Sequence, residues 1–489
     1  MDVTGTSNGP LALNETFERA LEVILARVAV PDALPQEPPA TFVNPPISIA
    51  LAYSGGLDSA VLLHLARHYT STRRICLHAF HIHHGLSPNA DAWSAHCEQE
   101  CARLSVHFDV RRVQVAGREK QGTEQAARLI RYAALGQLCR EHGVALLLTA
   151  HHQDDQAETV LLQLLRGSGV AGLSGMEPVN TAPGLLGDDR LMIGRPLLDV
   201  SRSRLEQFMR QCGIRHIEDE SNEDPRYARN ALRHKVMPVL SANFPGFQQR
   251  FARSAQHAQS AQRLLDELAA QDLAACRDGE GIALGRLEKL NGDRIDNVLR
   301  YWFATRGVRM PATAWLQEMR AQLFNAKEDA RIRVTHADCE IRRHRDHVFI
   351  TPRHDDADLD VAPIHFRWQG EASIHFAAFQ GTLHFEHAEE GVNADWLQGQ
   401  KLQIRLRSGG ERLRLAANRP SRALKYHYQA LDIPHWQRLR LPLVMSDQHL
   451  VFAAGIGMHW EISSSEADNS RNFVRLRWEQ DRIQKSPDF

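Results

Sequence analysis

A short loop near the start of the chain has the residue types that bind an anion. It consists of Ser54, Gly55, Gly56, Leu57, Asp58 and Ser59. The glycines allow a tight turn that brings backbone N–H groups close to an oxyanion, and the serines add hydroxyl donors. An apolar run precedes the loop and leucines at helical spacing follow it, so the positive end of a helix faces the same point. This context favours a phosphate-binding loop over a glycine turn that only caps a helix.

The loop differs from a Walker A loop because it contains no lysine to reach the β and γ phosphates of a nucleotide. It contains a carboxylate instead, Asp58. A carboxylate repels phosphate unless a divalent cation lies between the two groups. We therefore expect Mg²⁺ to bind with the nucleotide, with Asp58 as a metal ligand.

A second group of ionisable side chains follows the apolar segment 145–149 and enters a helix. His151 and Asp155 are four residues apart, and Asp155 and Glu158 are three apart, so the three side chains can share one helix face. Acidic residues at a helix start can simply complement the helix dipole, but this does not explain two adjacent histidines at a strand end. The spacing matches no common zinc site. We favour a substrate site in which the carboxylates receive a cationic amine.

Two further elements are expected near this site. The helix predicted over 123–141 presents Arg128 and Arg131 on one face, where a guanidinium group can pair with phosphate or form a surface salt bridge. Another strand ends in three histidines, which are His81, His83 and His84. Three histidines at one strand end favour a functional site over isolated core residues.

Alternating strand and helix patterns position these residues. Strands are predicted over 47–53, 74–83, 107–115, 145–149 and 192–198, and helices over 58–68, 90–104, 123–141 and 154–165. Strands separated by helices pair in parallel through right-handed crossovers, so we predict an α/β fold with a doubly wound parallel sheet. Ligands of such sheets bind at the carboxyl ends of the strands, which brings the loop and the second group of side chains to one edge.

The remaining chain is predicted to form further domains. A lead-in covers 1–46, with a possible helix over 13–28, and the doubly wound domain covers 47–220. A helical domain follows over 221–330, then a connecting segment of uncertain type over 331–400 and a mixed α+β C-terminal domain over 401–489. Residues 325–399 carry no pattern that indicates a function.

Composition excludes several classes of protein. Of the 489 residues, 43% are hydrophobic and 24% are charged, as in ordinary globular proteins. The seven cysteines are scattered and form no CxxC pair, which argues against a disulfide framework and a zinc site and fits a reducing compartment. Neither a signal peptide nor a run of ~18 apolar residues is visible. We expect a cytoplasmic protein.

Cations are concentrated near the end of the chain. They are Lys401, Arg405, Arg407, Arg412, Arg414, Arg419, Arg422, Lys425, Arg438 and Arg440. Only Glu411 and Asp432 oppose them, and four rings are interleaved: Tyr426, His427, Tyr428 and Trp436. A charge run is usually a solvated face, but a nearly single-signed run in a chain of net charge −1 favours an RNA surface. The segment with Arg226, Arg229 and Arg233 is similarly basic.

These motifs carry a resemblance to a known family. SGGLDS is similar to the phosphate loop of the PP-loop, or N-type ATP pyrophosphatase, superfamily. Within it, the chain resembles the tRNA(Ile)-lysidine synthase family through HIHHGLS, TEQAARLIRY, TAHHQDDQAET, LLRGSGVAGLSGM, RPLL and EDESNEDPRYARNALRHKVMPVL. The C-terminal segment LRSGGERLRLAANRPSRALKYHYQALDIPHWQRLRLPLV also resembles that family. The resemblance is weakest over 325–399.

The resemblance implies a specific reaction. ATP adenylates C2 of the cytidine at the first anticodon position of tRNA(Ile) with a CAU anticodon. Free L-lysine then attacks C2, giving lysidine, AMP and pyrophosphate, so that the tRNA changes its codon and amino acid from methionine to isoleucine. The resemblance further implies a monomer or homodimer.

By motif position, the resemblance also implies residue roles. The loop from Ser54 to Ser59 would hold the pyrophosphate part of ATP with Mg²⁺. Asp155 and Glu158 would hold the lysine ammonium, and one of them could accept its proton. His151 would lie near the reaction centre, and Arg131 would contact phosphate or the adenylated intermediate. The tRNA would be bound by Arg226, Arg229, Arg233, Arg412, Arg414 and Lys425.

Three alternatives remain open at this stage. A PP-loop enzyme that thiolates tRNA would rely on cysteines, but Cys97 and Cys101 are predicted to lie on a helix away from the strand ends. A relative of the GMP or asparagine synthetases would need a glutaminase half, which is not visible. A non-catalytic tRNA-binding protein would lack ATP–pyrophosphate exchange.

Overall fold

A computed structural model gives the fold of the chain. It describes residues 10–28, 47–85, 87–114, 123–218, 228–327, 332–353, 361–447, 449–463 and 472–481. The chain divides into two compact units, the first ending at Leu268 and the second beginning at Ala269. Among the described helices, none is both long and apolar enough to cross a membrane.

A six-stranded sheet forms the centre of the first unit. Its strands are β1 (Ile47–Ala52), β2 (Ile75–His83), β3 (His107–Arg112), β4 (Leu146–Leu148), β5 (Val179–Thr181) and β6 (Met192–Gly194). The order is β3-β2-β1-β4-β6-β5, and all neighbours are parallel except β5 and β6. The predicted doubly wound parallel sheet is confirmed, with an antiparallel edge strand that the prediction missed. The strand predicted over 192–198 ends early, because Pro196 has no N–H to donate.

Helices cover both faces of this sheet, and further helices continue the chain beyond it. They are α1 (Pro10–Val28), α2 (Leu57–Thr70), α3 (Ala90–Arg103), α4 (Thr123–Glu141), α5 (Gln153–Leu165), α6 (Val170–Leu173), α7 (Pro183–Leu186), α8 (Arg202–Cys212), α9 (Ala228–Ala231), α10 (Met237–Asn243) and α11 (Phe247–Cys276). A π-helical turn, Leu232–Val236, joins α9 to α10. Ile49 and Leu51 pack with α1, α2, α3 and α8, whereas Ala50 packs with α4 and α7. This alternation along β1 separates the two helical layers.

The lead-in predicted over 1–46 contains a helix that belongs to the core. Leu13, Phe17, Leu21 and Ile24 are buried on one face of α1. Their spacing of three and four residues is that of an amphipathic helix, which is the helix that the sequence indicates over 13–28.

The second unit begins with helices that share a core with a five-stranded sheet. The helices are α12 (Leu284–Leu287), α13 (Gly292–Thr305) and α14 (Thr313–Asn325), and the strands are β7 (Arg277–Asp278), β8 (Gly281–Ala283), β9 (Arg333–Thr335), β10 (Cys339–His344) and β11 (His347–Pro352). The order is β7-β8-β11-β10-β9. Phe303 and Leu316 of the helices and Ile341 and Val348 of the sheet form one core. The strands after residue 331 therefore fold together with the helices that precede it.

Two antiparallel sheets form the remainder of the second unit. Their strands are β12 (Ile364–Phe366), β13 (Ser373–Phe376), β14 (Gly381–Ala388), β15 (Val392–Asn393), β16 (Leu402–Arg405), β19 (Leu443–Ser446), β20 (His449–Ala453), β21 (Gly457–Met458) and β22 (Phe473–Gln480); β17 (Arg412–Leu413) and β18 (Arg422–Ala423) form a separate ribbon. The helices are α15 (Ala394–Gly399), α16 (Leu424–Ala430), α17 (His435–Arg438) and α18 (Trp460–Ser463). The orders are β12-β16-β19-β20-β21 and β13-β14-β22-β15. The predicted mixed α+β C-terminal fold is confirmed.

Candidate active site

The predicted phosphate loop joins β1 to α2 in a conformation that requires glycine. Gly55 has a φ of +83°, and a Cβ atom at this position would lie 2.6 Å from Ile217 Cδ1 and 2.9 Å from Cys97 Sγ. Ser59 Oγ donates a hydrogen bond to the Gly56 carbonyl oxygen at 2.9 Å. Gly56 is the residue before α2, so the positive end of that helix lies at the loop. The loop therefore cannot accept a side chain at position 55 without strain.

Cys97 lies directly beneath this loop, and the prediction that it is remote from the strand ends is wrong. Helix α3 follows β2 and therefore starts at the carboxyl edge of the sheet, which brings its middle under the loop. Cys97 and Cys101 are both fully buried. Burial raises the pKa of each thiol to about 12, so both remain protonated and unreactive at neutral pH.

Asp58, at the start of α2, presents one oxygen that lacks a partner. Its Oδ2 atom lies 3.6 Å from His152 Nε2 and 3.9 Å from Arg202 Nη1. Its Oδ1 atom is buried and has no hydrogen-bond partner. A carboxylate oxygen of this kind beside a phosphate loop fits Mg²⁺, which proteins usually bind through one or two carboxylates together with substrate phosphates. Among the described residues, no group of three or more His, Cys, Asp or Glu side chains forms a metal site by itself.

His152 is a buried imidazole surrounded by carboxylates. Its ring nitrogens lie 3.3 Å from Asp155 Oδ2 and 3.8 Å from Asp154 Oδ2, in addition to the contact with Asp58. Burial lowers its pKa, but the neighbouring carboxylates outweigh this effect and raise it above the ordinary value. The sequence singled out the adjacent histidines without assigning a role to this one. The protonated form of this imidazole is therefore favoured relative to a free histidine beside the phosphate loop.

The two carboxylates predicted to receive an amine are already paired with guanidinium groups. Arg229 donates to Glu158 Oε2 at 2.8 Å and to Asp155 Oδ1 at 3.1 Å. Arg233 donates to Glu158 Oε1 at 2.7 Å, to Glu158 Oε2 at 3.0 Å and to Asp155 Oδ1 at 3.0 Å. Glu158 is 1% exposed. Two residues predicted to bind tRNA therefore contact the predicted lysine site, and Arg226 lies outside the described residues.

His151 lies at the end of β4, next to a buried arginine. Its Nδ1 atom shares a hydrogen bond of 2.9 Å with Thr149 Oγ1. Burial lowers the pKa of His151 well below its ordinary value, and Arg195 is one of the cations that add to this effect. Arg195 follows β6, which pairs with β4. Its Nη1 atom donates to Glu177 O and Asn180 Oδ1, but its buried Nε has no partner.

The sequence analysis did not identify Arg195 as a site residue, although Arg195 is the first residue of the RPLL motif. The one available signal was an arginine directly after a strand that ends at the edge carrying the site. Its buried position, which makes its charge effective on His151, depends on tertiary packing and has no pattern in the sequence.

A cavity of about 1050 Å³ unites these groups. All five predicted catalytic residues line it, namely Asp58, Arg131, His151, Asp155 and Glu158. The loop contributes Ser54, Gly56, Leu57 and Ser59 to the lining, and Gly55 lies behind them. The strand-end histidines His81, His83 and His84 line it as well. Hydrogen-bond donors for an anion and carboxylates for a cation thus face one space.

The predicted RNA surface of residues 401–440 contains side chains that belong to the core. Tyr428 is fully buried with Leu424, four residues earlier on α16. Its hydroxyl donates to Ala454 O at 3.0 Å, and burial raises its pKa to about 12. Arg438 is also buried and donates to the Ile433 carbonyl oxygen. The prediction that Tyr428 and Arg438 face RNA is wrong, because helical periodicity turns them inward.

The acidic residues of this segment are used internally. Glu411 accepts hydrogen bonds from the backbone N–H groups of Ser408 at 2.8 Å and Gly409 at 3.1 Å, and from Arg405 Nη1 at 2.9 Å. These bonds outweigh the effect of burial and lower the pKa of Glu411 to about 2. Asp432 pairs with two basic residues of the β10–β11 turn, His344 and Arg345. Both carboxylates are paired within the protein, which reduces their repulsion of a bound phosphate.

The three predicted tRNA contacts in this segment differ in their surroundings. Arg412 and Lys425 are exposed. Arg414 pairs with Glu461 at 3.0 Å, and its Cζ lies 5.0 Å from the centre of the Trp460 ring. Arg412 and Lys425 are therefore presented to solvent, although Arg412 Nη2 also donates to the Ser421 carbonyl oxygen at 2.6 Å. Arg414 stabilises its own loop through Glu461 and Trp460.

Comparisons with known proteins agree with this arrangement. Family models match residues 35–240 as a PP-loop domain, 283–349 as a TilS substrate binding domain and 402–478 as a TilS substrate C-terminal domain. The tRNA(Ile)-lysidine synthase of Burkholderia pseudomallei is 41% identical over 466 residues, which cover 89% of this chain and 94% of that protein. That of Ralstonia nicotianae is 42% identical and covers 84% of this chain and 89% of that protein. This chain belongs to the tRNA(Ile)-lysidine synthase family.

Membership in the tRNA(Ile)-lysidine synthase family confirms the predicted resemblance. The chain is an enzyme with a PP-loop domain that uses ATP. The family models also match the two regions of the second unit that surround β8–β11 and β16–β22.

Proposed function

We propose that this chain attaches lysine to C2 of the cytidine at the first anticodon position of tRNA(Ile) with a CAU anticodon. ATP first adenylates the cytidine, and the ε-amine of free L-lysine then displaces AMP to give lysidine. The modified tRNA decodes an isoleucine codon instead of a methionine codon and accepts isoleucine. The reaction takes place in the cytoplasm, where tRNA, lysine and ATP meet.

One observation carries this proposal: a phosphate loop and a pair of carboxylates that already bind cations line the same cavity. Adenylation needs donors for the pyrophosphate leaving group. Attack by lysine needs a binding site for its ammonium group. That group must then lose a proton, because only a neutral amine is a nucleophile. The two arginine side chains in the structure occupy the position that the proposal gives to that ammonium.

Each predicted residue then has a role in the reaction. Ser54, Ser59 and the backbone from Gly55 to Leu57 bind the pyrophosphate part of ATP. Arg131, which lines the cavity, contacts phosphate or the adenylated cytidine. His151 lines the cavity near the reaction centre and is held neutral by its surroundings.

Mg²⁺ would be held by Asp58 and phosphate oxygens, and would supply neutralisation of the charge that develops on pyrophosphate. The free Oδ1 atom of Asp58 supports this assignment. The Asp58 to Asn variant should lose pyrophosphate release while retaining affinity for tRNA, and full activity of that variant would refute the role.

The second unit is proposed to bind tRNA through Arg412, Arg414 and Lys425. The exposed positions of Arg412 and Lys425, and the internal use of Glu411, support this role. Reversing the charge of Lys425 should weaken tRNA binding and reduce its salt dependence. Unchanged affinity in the Lys425 to Glu and Arg412 to Glu variants would remove the assignment.

The test of the whole proposal uses the purified chain, Mg²⁺-ATP, labelled lysine and an isoleucine tRNA transcript with a CAU anticodon. A methionine tRNA transcript serves as the control. Label on the isoleucine tRNA alone would support the reaction, both substrates and the selectivity. Formation of AMP and pyrophosphate without label would keep adenylation and overturn lysine as the nucleophile.

The thiolation alternative is disfavoured by the state of the cysteines. Cys97 packs against the phosphate loop, and both Cys97 and Cys101 are buried thiols with raised pKa values. A sulfur carrier needs an accessible thiolate.

A further inference from the structure

The carboxylates of Asp155 and Glu158 are paired with arginine side chains in the absence of substrate. Two guanidinium groups face two carboxylates through five side-chain hydrogen bonds of 2.7–3.1 Å. Arg233 binds Glu158 through two nitrogens, which is the bidentate geometry that makes such pairs strong. An ammonium group added to this arrangement would be a third positive charge against two negative ones.

Because the carboxylates are buried, one cation can leave this pair only when another cation replaces it. Glu158 is 1% exposed, and a buried carboxylate left without a cation is strongly destabilising. An arginine can therefore leave only as another cation enters, and a lysine ammonium can enter only as an arginine leaves. The amine site exists in this structure, but it is occupied by the chain itself.

The arginines are placed so that an external anion can reach them. Their side chains are 27% and 28% exposed, in contrast to the carboxylates that they contact. Arg233 belongs to the π-helical turn Leu232–Val236, a local geometry that often marks functional sites. Lys235 of the same turn is exposed. A phosphate group accepts a guanidinium bidentately, as a carboxylate does.

We propose that Arg229 and Arg233 are specificity-determining residues that exclude the amine from Asp155 and Glu158 until phosphates of bound RNA draw them away. This inference rests on the proposed function, because it takes lysine as the amine and tRNA as the anion. It reconciles the two predictions that meet at this point: the carboxylates bind lysine and the arginines bind RNA, but not while they bind each other. The nucleophile is thereby admitted only when the nucleic acid that it attacks is present.

The proposal requires reciprocal coupling between the two ligands. If RNA tightens lysine binding by some factor, lysine must tighten RNA binding by the same factor. The apparent lysine affinity without RNA is reduced by the fraction of molecules in which the pair is open. We expect a factor of about 10 or more, since an open fraction of one tenth already gives this value.

The first experiment uses the wild-type full chain and needs no variant. The dissociation constant of L-lysine is measured by calorimetry without RNA and with a saturating CAU-anticodon tRNA(Ile) transcript, and that of the transcript is measured with and without lysine. Equal tightening in both directions supports the proposal. Lysine affinity that is the same with and without RNA overturns it.

Variants then assign the coupling to the arginines. Arg229→Gln and Arg233→Gln should each bind lysine more tightly than wild type without RNA, and should show a smaller coupling factor. Arg229→Lys keeps the charge but loses the several N–H donors of the guanidinium group. Its lysine affinity and coupling factor should lie between those of wild type and Arg229→Gln. Lys235→Gln, with the same charge change in the same turn, should keep the wild-type factor. Glutamine variants that fold and retain wild-type lysine affinity and coupling would overturn the proposal.

Failure of the proposed function gives a different pattern. Lysine that is incorporated into tRNA, but binds independently of RNA, overturns only the exclusion by Arg229 and Arg233. Lysine that neither binds nor is incorporated under any condition overturns the proposed function and, with it, this inference.

Discussion

Replacement of Gly55 by alanine should separate the steric demand of the phosphate loop from its conformational demand. A non-glycine residue in the left-handed region costs about 1–2 kcal/mol. The added Cβ would also lie 2.6 Å from Ile217 Cδ1 and 2.9 Å from Cys97 Sγ, and such overpacking typically costs about 1–3 kcal/mol. We expect Gly55→Ala to destabilise the first unit by about 2–5 kcal/mol in total.

Gly213→Ala is the matched control. Gly213 has a φ of +61° at the end of α8, and a Cβ there would meet nothing within 4 Å. Its cost should be the conformational part alone. Alanine also restricts the unfolded chain, which lowers the cost of both variants equally by about 0.4–1 kcal/mol. Urea unfolding of both variants, followed by a probe in the first unit, gives the difference. ATP–pyrophosphate exchange in the presence of tRNA should be lost only in Gly55→Ala.

Equal unfolding midpoints for Gly55→Ala and Gly213→Ala would refute the steric demand at position 55. This result would mean that Ile217 and Cys97 move aside at no cost and that the loop is not tightly packed. A Gly55→Ala variant with normal stability and normal exchange would further show that the close backbone approach is not needed for phosphate binding.

Three further outcomes are expected. Asp58→Asn should reduce pyrophosphate release at least ~100-fold, because a ligand that helps neutralise the leaving group contributes several kcal/mol; single-turnover assays measure this. The pKa of His151 is lowered in the folded chain, so the unfolded chain binds the extra proton below pH ~6.5. The unfolding free energy should therefore fall by up to about 1.4 kcal/mol per pH unit below that value, and His151→Gln should remove this part of the slope in pH-dependent denaturation. Tyr428→Phe should cost about 1 kcal/mol of stability through the lost bond to Ala454 without changing tRNA affinity, whereas Tyr426→Ala, at a 60% exposed position, should weaken tRNA binding and leave stability unchanged.

The parts of the fold that the sequence predicts are those with a local signal. The strand, glycine turn and helix around Gly55 follow one another within about 20 residues, and the alternation that defines the parallel sheet repeats along the chain. Strands such as β5 and β8 have three residues each, too few to show a period. They form because neighbouring strands offer hydrogen bonds: β6 pairs with β5, and β7 and β11 pair with β8.

The same distinction applies to the candidate site. His151, Asp155 and Glu158 are close in sequence, so their common helix face could be inferred from spacing. Arg229 and Arg233 lie more than 70 residues further on, and their basic segment reads as an RNA surface when taken alone. Likewise, Glu411 reads as an opposing surface charge, although it closes its own loop. A basic segment in a sequence indicates that its partner is an anion. It does not indicate whether that anion is RNA or a carboxylate of the same chain.

The charged side chains at the cavity are paired with one another, so a change at one of them affects the others. The His152 imidazole lies among the carboxylates beside the phosphate loop, and Arg229 and Arg233 pair with Asp155 and Glu158. An anionic nucleotide and a cationic amine must both enter this space, and each would be repelled if the charges of its own sign were unpaired. Because Arg229 and Arg233 already pair with Asp155 and Glu158, we expect a cationic amine to bind there only by exchanging with a guanidinium group. The chain thus needs a second polyanion to accept the displaced cations, and this requirement is the physical reason to expect that RNA and lysine bind cooperatively.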